Sequence, residues 1–364
     1  MTAVGPLVLE SRDPTSGWTR VLVRVGAIAL ALGLGALVFV SAGLPVSDSY
    51  RIMWSGALGS SNAVAQTLVA STPIMLTGLS VVLARRMGLW NLGGEGQLYM
   101  GAMFATAVAL WFSDWPRPFL VTAMLAAGAL GGAAWALGPG LLRAGHKINE
   151  ILTTLILNFV AILLVDYLVH ARWRDPLALG FPISRALSSN AIMPALLGTA
   201  VHAGLLVAVA SAFLLWSFLW WTRGGPRTGP MAGTLEFGDS RKGMVPRNLV
   251  LAMLASGALA GIAGMGEVSA VTHRLHAGIS ANYGYVGIVV AILSRFSPLG
   301  VLVVALPFGA LLAGGFALRN LGPSGWIVAT LQGTIVAIVL VSELLVRFRL
   351  RWAGSQPLHK TGPA

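Results

Sequence analysis

The chain of 364 residues is 56% hydrophobic and only 10% charged, with a mean hydropathy of +0.80. Soluble domains carry about 25% charged residues, so this supply cannot clothe a water-facing surface, and the composition describes a polytopic membrane protein. The net charge of +12 does not indicate nucleic-acid binding, because the 24 Lys and Arg sit in short clusters between apolar runs and form no single patch. The absence of cysteine excludes disulfides, thiol nucleophiles and cysteine-ligated zinc or iron–sulfur sites.

A crossing helix needs about 20 mostly apolar residues. In chain order the candidates are 21–43, 62–84, 94–112, 118–140, 148–170, 198–221, 248–267, 283–294, 298–318 and 326–346. The expected fold is therefore all-α, a transmembrane domain over 21–346 between an N-terminal tail (1–20) and a C-terminal tail (347–364). Val40-Ser41-Ala42 resembles a signal-peptide cleavage site, but the apolar run before it is long for that role and reads as a first span. The segment 283–294 is too short to cross as one straight helix. Gly284 and Gly287 open it and Pro298 follows it, so a broken or re-entrant piece is expected.

With the N-terminus in the cytoplasm and all ten segments crossing, the outer connections receive only Arg51, Arg117, Arg172, Arg174, Arg185, Arg274 and Arg319. The other basic residues fall inside, which places both termini in the cytoplasm. A re-entrant eighth segment would put the Arg-rich C-terminal tail outside, so ten crossings are preferred to nine. The longest polar connections are 171–197 outside and 222–247 inside.

Polar groups kept inside apolar segments face a protein interior, a water path or a partner, because a carboxylate at the bilayer centre costs roughly 2.5–3.5 kcal/mol. The most unusual run is Arg85-Arg86-Met87-Gly88-Leu89-Trp90-Asn91-Leu92-Gly93-Gly94-Glu95-Gly96-Gln97. Its glycines interrupt helix beside Asn91, Glu95 and Gln97. A broken helix next to a polar cluster is a common form of substrate site at membrane depth; the alternative is a capped loop at the interface, with Glu95 meeting Arg85 or Arg86. Glu150, Thr154 and Asn158 fall at i, i+4, i+8 on one helical stripe, suited to lining a path or to bonding between helices. Gln66 is a weaker candidate for the same path. Gly257, Gly261 and Gly264 form a small-residue seam for close helix packing, and Gly128 with Gly132 forms a second.

Enzymatic chemistry finds little support. Lys147, Lys242 and Lys360 are the only lysines, and none sits in a phosphate-cradling GxxxxGK[ST]. Gly322-Pro323-Ser324-Gly325 resembles the serine motif of rhomboid proteases, yet the only later histidine is His359 in the polar tail. His273 and His276 lack a third ligand, so no metal and no cofactor is expected. His202, within an apolar segment, reads as a hydrogen-bonded helix contact. An ion-driven carrier would need embedded titrating groups; Glu95, Asp166 and Glu267 could serve, and that alternative stays open on the residues alone.

Gly88-Leu89-Trp90-Asn91-Leu92-Gly93-Gly94-Glu95-Gly96-Gln97 resembles the GLFNIGxEGQ signature of permease subunits of bacterial ABC importers in the nucleoside and simple-sugar branch. Asn149-Glu150-Ile151 through Leu157-Asn158 resembles that branch's NE…TxxLN segment. Residues Ser256 to Gly264 are similar to its SGALAGLAG, and Tyr283 to Ile288 with Arg295 to Gly300 to its YGFxGIAVAL…R-x-x-PLG. The ordered set spans roughly residues 70 to 320. The resemblance implies a multi-pass protein of the bacterial cytoplasmic membrane, non-enzymatic itself, working with a second permease subunit (a homodimer or heterodimer), a cytoplasmic ABC ATPase and an external substrate-binding lipoprotein. It points to nucleosides, with a simple sugar such as a pentose as the alternative cargo. One departure is the stretch Arg223 to Met244, which lacks the family's NPxAAR core. Leu235, Glu236, Phe237, Arg241 and Lys242 are the residues expected to dock the ATPase there.

Overall fold

The computed structural model describes residues 2–4, 7–11, 17–196, 198–221, 246–319 and 325–352. Its helices are α1 (Gly17–Ser41), α2 (Val46–Leu58), α3 (Ser61–Arg86), α4 (Gly94–Trp111), α5 (Arg117–His146), α6 (Glu150–His170), α7 (Gly204–Trp221), α8 (Pro246–Gly266), α9 (Tyr283–Leu293), α10 (Pro298–Arg319) and α11 (Gly325–Arg347). A π-helical turn, Glu267–Thr272, prolongs α8. Each of the ten expected segments coincides with one of these helices. By length and composition α3, α5, α6, α8 with its π turn, and α10 could each cross a bilayer unaided.

Two features were not anticipated. The polar sequence around Asp48 and Arg51 forms α2, bent by 116° from α1; with Asp48, Ser49 and Arg51 in it, no apolar run marks it in the sequence. The strands β1 (Thr2–Val4), β2 (Leu7–Ser11) and β3 (Phe348–Trp352) form a small antiparallel sheet in the order β1-β2-β3, so the expected all-α fold carries this one exception. Short terminal strands carry no long apolar run, which is why the composition does not reveal them.

The chain divides into two units, residues up to Ile52 with those from Leu318 onward, and Met53–Ala317. In the first, α1 packs on α11, and Tyr50 donates to Leu32 O while meeting Phe39 edge-on. In the second, α3 is buried on nearly every side, as expected of a helix without a polar face. Around it lie α8, α9 and α7, and α4, α5 and α8 pack mutually. On α6 only Glu150, Thr154, Asn158, Ala161, Val165 and Val169 are buried, a single stripe that is polar in one half and apolar in the other.

Glycine makes the α4–α5–α8 packing possible. A Cβ on Gly261 would collide with the Gly128 carbonyl, one on Gly257 with the Gly132 carbonyl, one on Gly101 with the Gly261 main chain, and one on Gly264 with the Leu98 carbonyl. The two seams read from the sequence therefore face each other, with α4 as a third member. Main chains approach this closely only where side chains are absent.

The eighth segment forms a short helix with non-helical chain ahead of it. Leu275 and Ser184 exchange main-chain and hydroxyl hydrogen bonds in the connection ahead of α7. The chain then continues without helix past Ala277, whose carbonyl accepts from the Tyr99 hydroxyl at 2.6 Å. Helix α9 begins where Thr77 donates to Tyr283 O (2.9 Å), and beyond its end Arg86 donates to Phe296 O. Eleven residues of helix cover about 16 Å, roughly half the hydrocarbon thickness. The chain thus reaches the Arg85–Arg86 end of α3 first through turns and then as helix.

Candidate functional site

The glycine-interrupted run forms a non-helical bridge, Met87–Gly93, between α3 and α4. Gly88 has φ +69, a conformation open to glycine at little cost, and it turns the chain so that Leu89 N bonds back to Ala84 O. Leu89 is then buried among Ala84, Ala136, Ala252 and Met253. Arg85 does not meet Glu95, as one sequence reading had it. Its guanidinium stacks 4.8 Å from the Trp90 ring centroid, and Trp90 meets Phe296 edge-on. The Trp90 N–H donates to Glu150 Oε1 at 3.4 Å, while Glu150 Oε2 pairs with Arg143 Nε at 3.2 Å.

Asn91 is the hub of the bridge. Its Nδ2 has two hydrogens for Ser256 Oγ (2.7 Å) and Gln97 Oε1 (2.8 Å), with Ser80 Oγ also within reach at 3.2 Å; its Oδ1 accepts from Gly93 N and Gln97 Nε2, both at 3.0 Å. Ser80 and Ser256 are also bonded to each other, and Ser256 donates to Ser80 O. This side chain therefore fastens the bridge to α3, α4 and α8 at once. Low local dielectric strengthens such a network and raises the cost of breaking one member.

Glu95 holds the start of α9. Its Oε2 accepts from Gly284 N at 2.8 Å, and the Ser280 hydroxyl also reaches it; Ser280 Oγ in turn accepts from Tyr283 N. A helix N-terminus has unpaired N–H groups and a positive dipole end, so a carboxylate is the natural partner for one that begins inside the bilayer. The approach is close enough that a Cβ at Gly284 would overlap the Glu95 main chain. From α6, Asn158 Oδ1 accepts from Gly96 N (2.8 Å), and its Nδ2 donates to Leu92 O (2.9 Å) and to the Tyr285 hydroxyl (3.3 Å).

Four of the five residues expected to line a path, Asn91, Glu95, Gln97 and Asn158, are thus brought together, each no more than 2% exposed. Gln66 is not with them. It is exposed near the opposite end of α3, 14 positions or about 21 Å along the helix from Ser80. Leu235, Glu236, Phe237, Arg241 and Lys242 lie outside the described residues, as do Gly322, Pro323 and Ser324. His202 precedes α7, which starts at Gly204 and not at 198, because the chain first bridges His202 to Ala195. Asp166 is an exposed partner of His170 at the far end of α6.

Sequence reasoning missed Ser80, Ser256, Ser280 and Tyr285. The serines carried no signal, since isolated hydroxyls in apolar helices usually bond back to their own main chain. Tyr285 is half-buried, less enclosed than the Asn158 it meets. Among the described residues the network is built of hydrogen-bonding side chains, which can hold and orient a polar group.

Outside the spans, the connection ahead of α7 is tied to the end of α8. Arg274 Nη1 pairs with Asp175 Oδ2 at 2.7 Å and donates to Ser184 O. The Arg274 guanidinium and the Leu177 N–H hold the Asp175 carboxyl below its usual range.

The family described as branched-chain amino acid transport system / permease component matches residues 63–342. The glucose ABC transporter permease protein TsgB13 of Haloferax volcanii is 32% identical over 98% of each chain. The guanosine ABC transporter permease protein NupP of Bacillus subtilis is 29% identical over 91% of this chain and 95% of its own. The nucleoside ABC transporter permease protein NupB of Lactococcus lactis is 27% identical, over 90% and 92%. No solved structure matches the chain.

Proposed function

The chain belongs to the family of ABC importer permease components, in the branch that includes nucleoside and sugar permeases, and on that basis we propose that it carries a nucleoside across the cytoplasmic membrane. Energy comes from an ATPase on a separate polypeptide, cargo from an external binding protein, and the conduit is completed by a second permease subunit. Both termini face the cytoplasm.

The observation that carries the reading is the broken α9 at membrane depth, its N-terminus held by Glu95 and joined through Gly96 and Asn158 to the bridge before α4. Broken helices of this kind mark solute sites in transporters. Asn91, Glu95, Gln97 and Asn158 line the path once this network opens, with Tyr285 as its less enclosed edge and Gln66 contributing from the other end of α3. Amides, a carboxylate and a phenol suit the hydroxyls of a ribose and the edges of a base.

A second cargo reading, a simple sugar, is favoured by the likeness to TsgB13 over 98% of both chains. Both cargoes present a hydroxylated ring. Reconstitution of this chain with its ATPase, second permease and binding protein separates them: ATP-dependent uptake of labelled guanosine, unaffected by excess glucose, supports the nucleoside reading. Glucose uptake alone selects the sugar. Accumulation by this chain alone under an ion gradient overturns the ATP-driven reading.

The ATPase docks through Leu235, Glu236, Phe237, Arg241 and Lys242. Replacement of 232–242 by Gly and Ser should abolish co-purification of the ATPase; unchanged co-purification and uptake would remove this docking site.

A further inference from the structure

A small enclosed cavity lies between α3, α5, α7 and α8, away from the bridge, with His202 and Glu267 in its wall. Both residues are more than nine-tenths buried. Among the described residues the His202 Nε2 has no hydrogen-bond partner, and no hydrogen bond reaches the Glu267 carboxyl group; only its main-chain oxygen accepts one, from Thr272. The remaining wall, including Pro73, Leu76, Leu125, Val207 and Ile262, is largely apolar. Two polar groups so enclosed each carry a desolvation cost unless something in the cavity answers them.

The imidazole tautomer decides what can answer. His202 Nδ1 accepts the Gly204 N–H at 3.1 Å, so in the neutral ring the proton sits on Nε2. The ring nitrogen left without a partner is therefore a donor without a lone pair. That rules against a metal ion bound at Nε2, which would require a lone pair. It calls for a ligand that accepts from Nε2–H and donates to a carboxyl oxygen. The cavity has room for about one water molecule.

We propose that this cavity is a binding site for a single water molecule that accepts a hydrogen bond from His202 Nε2–H and donates one to Glu267. The bound water joins the turn that launches α7 to the π turn that ends α8, beside the hydrogen bonds by which Ser269 already holds Ala191 and Met193 in the connection ahead of α7. Widening of the helix at Glu267–Thr272 is in keeping with it, since π turns recur where a helix accommodates a local demand. The site does not depend on which cargo is carried.

Two measurements on the assembled complex test the proposal. An experimental map that resolves waters should show a peak about 2.7–3.2 Å from both Nε2 and a Glu267 oxygen. An empty cavity, or direct contact between the two side chains, would overturn it. Independently, His202→Asn retains an acceptor for Gly204 N–H but is too short to place its amide donor at the Nε2 position, and Glu267→Leu withdraws the acceptor. Each single variant should shorten the half-life of the solubilised complex at a fixed elevated temperature several-fold. The double variant should be no worse than the more damaging single one, because either change already strands the water. Effects that multiply would overturn the proposal.

Discussion

Replacing Asn158 by Leu removes the side chain that ties α6 to the bridge while keeping its volume roughly constant. Gly96 N–H and Leu92 C=O would then be buried without partners, and the Tyr285 hydroxyl would lose its donor. A buried main-chain group left unpaired costs about 1–3 kcal/mol, so two cost about 2–6 kcal/mol in the closed arrangement. The chain can escape by opening locally, and even the lower figure multiplies the open population about 30-fold. The protein has no cysteine, so Leu89→Cys, at a position only 1% exposed in the middle of the bridge, becomes a clean reporter. Thiol labelling of that cysteine should accelerate about 30-fold in the Asn158→Leu background. ATP-driven uptake should fall while the complex still assembles. Unchanged labelling together with normal uptake would refute the claim that Asn158 holds the bridge.

The helix start at Gly284 needs an acceptor, so Glu95→Ala should lose most uptake and Glu95→Gln, which keeps a carbonyl oxygen, should retain more; equal loss in both would move the argument to charge alone. Gly261→Val would drive a side chain into the Gly128 carbonyl and should lower yield and thermal stability by at least the roughly 1–3 kcal/mol typical of overpacking. Gly138→Ala on α5, where the added Cβ meets nothing within 4 Å, is the neutral control. Because Asp175 has a lowered pKa in the folded state, its ion pair contributes at neutral pH. That contribution is lost as pH falls below the usual carboxylate range and through the lowered value. Hydrogen exchange at Ser184 and Leu275, corrected for intrinsic rates, should therefore quicken on acidification, and Arg274→Gln should weaken that dependence, leaving the part due to the Leu177 N–H.

Much of the helix plan is legible because a bilayer allows few solutions: apolar runs of spanning length must be helices, and the glycine spacing in 257–264 already announces close packing. The stripe of Glu150, Thr154 and Asn158 follows from helical geometry alone. The direction of its bonds does not, because Gly96 N–H and Leu92 C=O are main-chain groups that no side-chain pattern reveals. Glu95 shows the same limit. Its sequence neighbours Arg85 and Arg86 suggested a local pair, but its partner is the N-terminus of α9, 189 positions away. Helix α2 stayed hidden because its polar face breaks the apolar run by which the other helices were found.

The touching backbones of α4, α5 and α8 set which parts of the protein can swing. Where Gly101, Gly128, Gly132, Gly257 and Gly261 meet, main chain faces main chain at close range, so sliding any one helix past another would drive main-chain atoms together. These three helices behave as a keel. Helix α6, gripping the rest by one narrow edge, is a spar fastened to that keel along a single stripe.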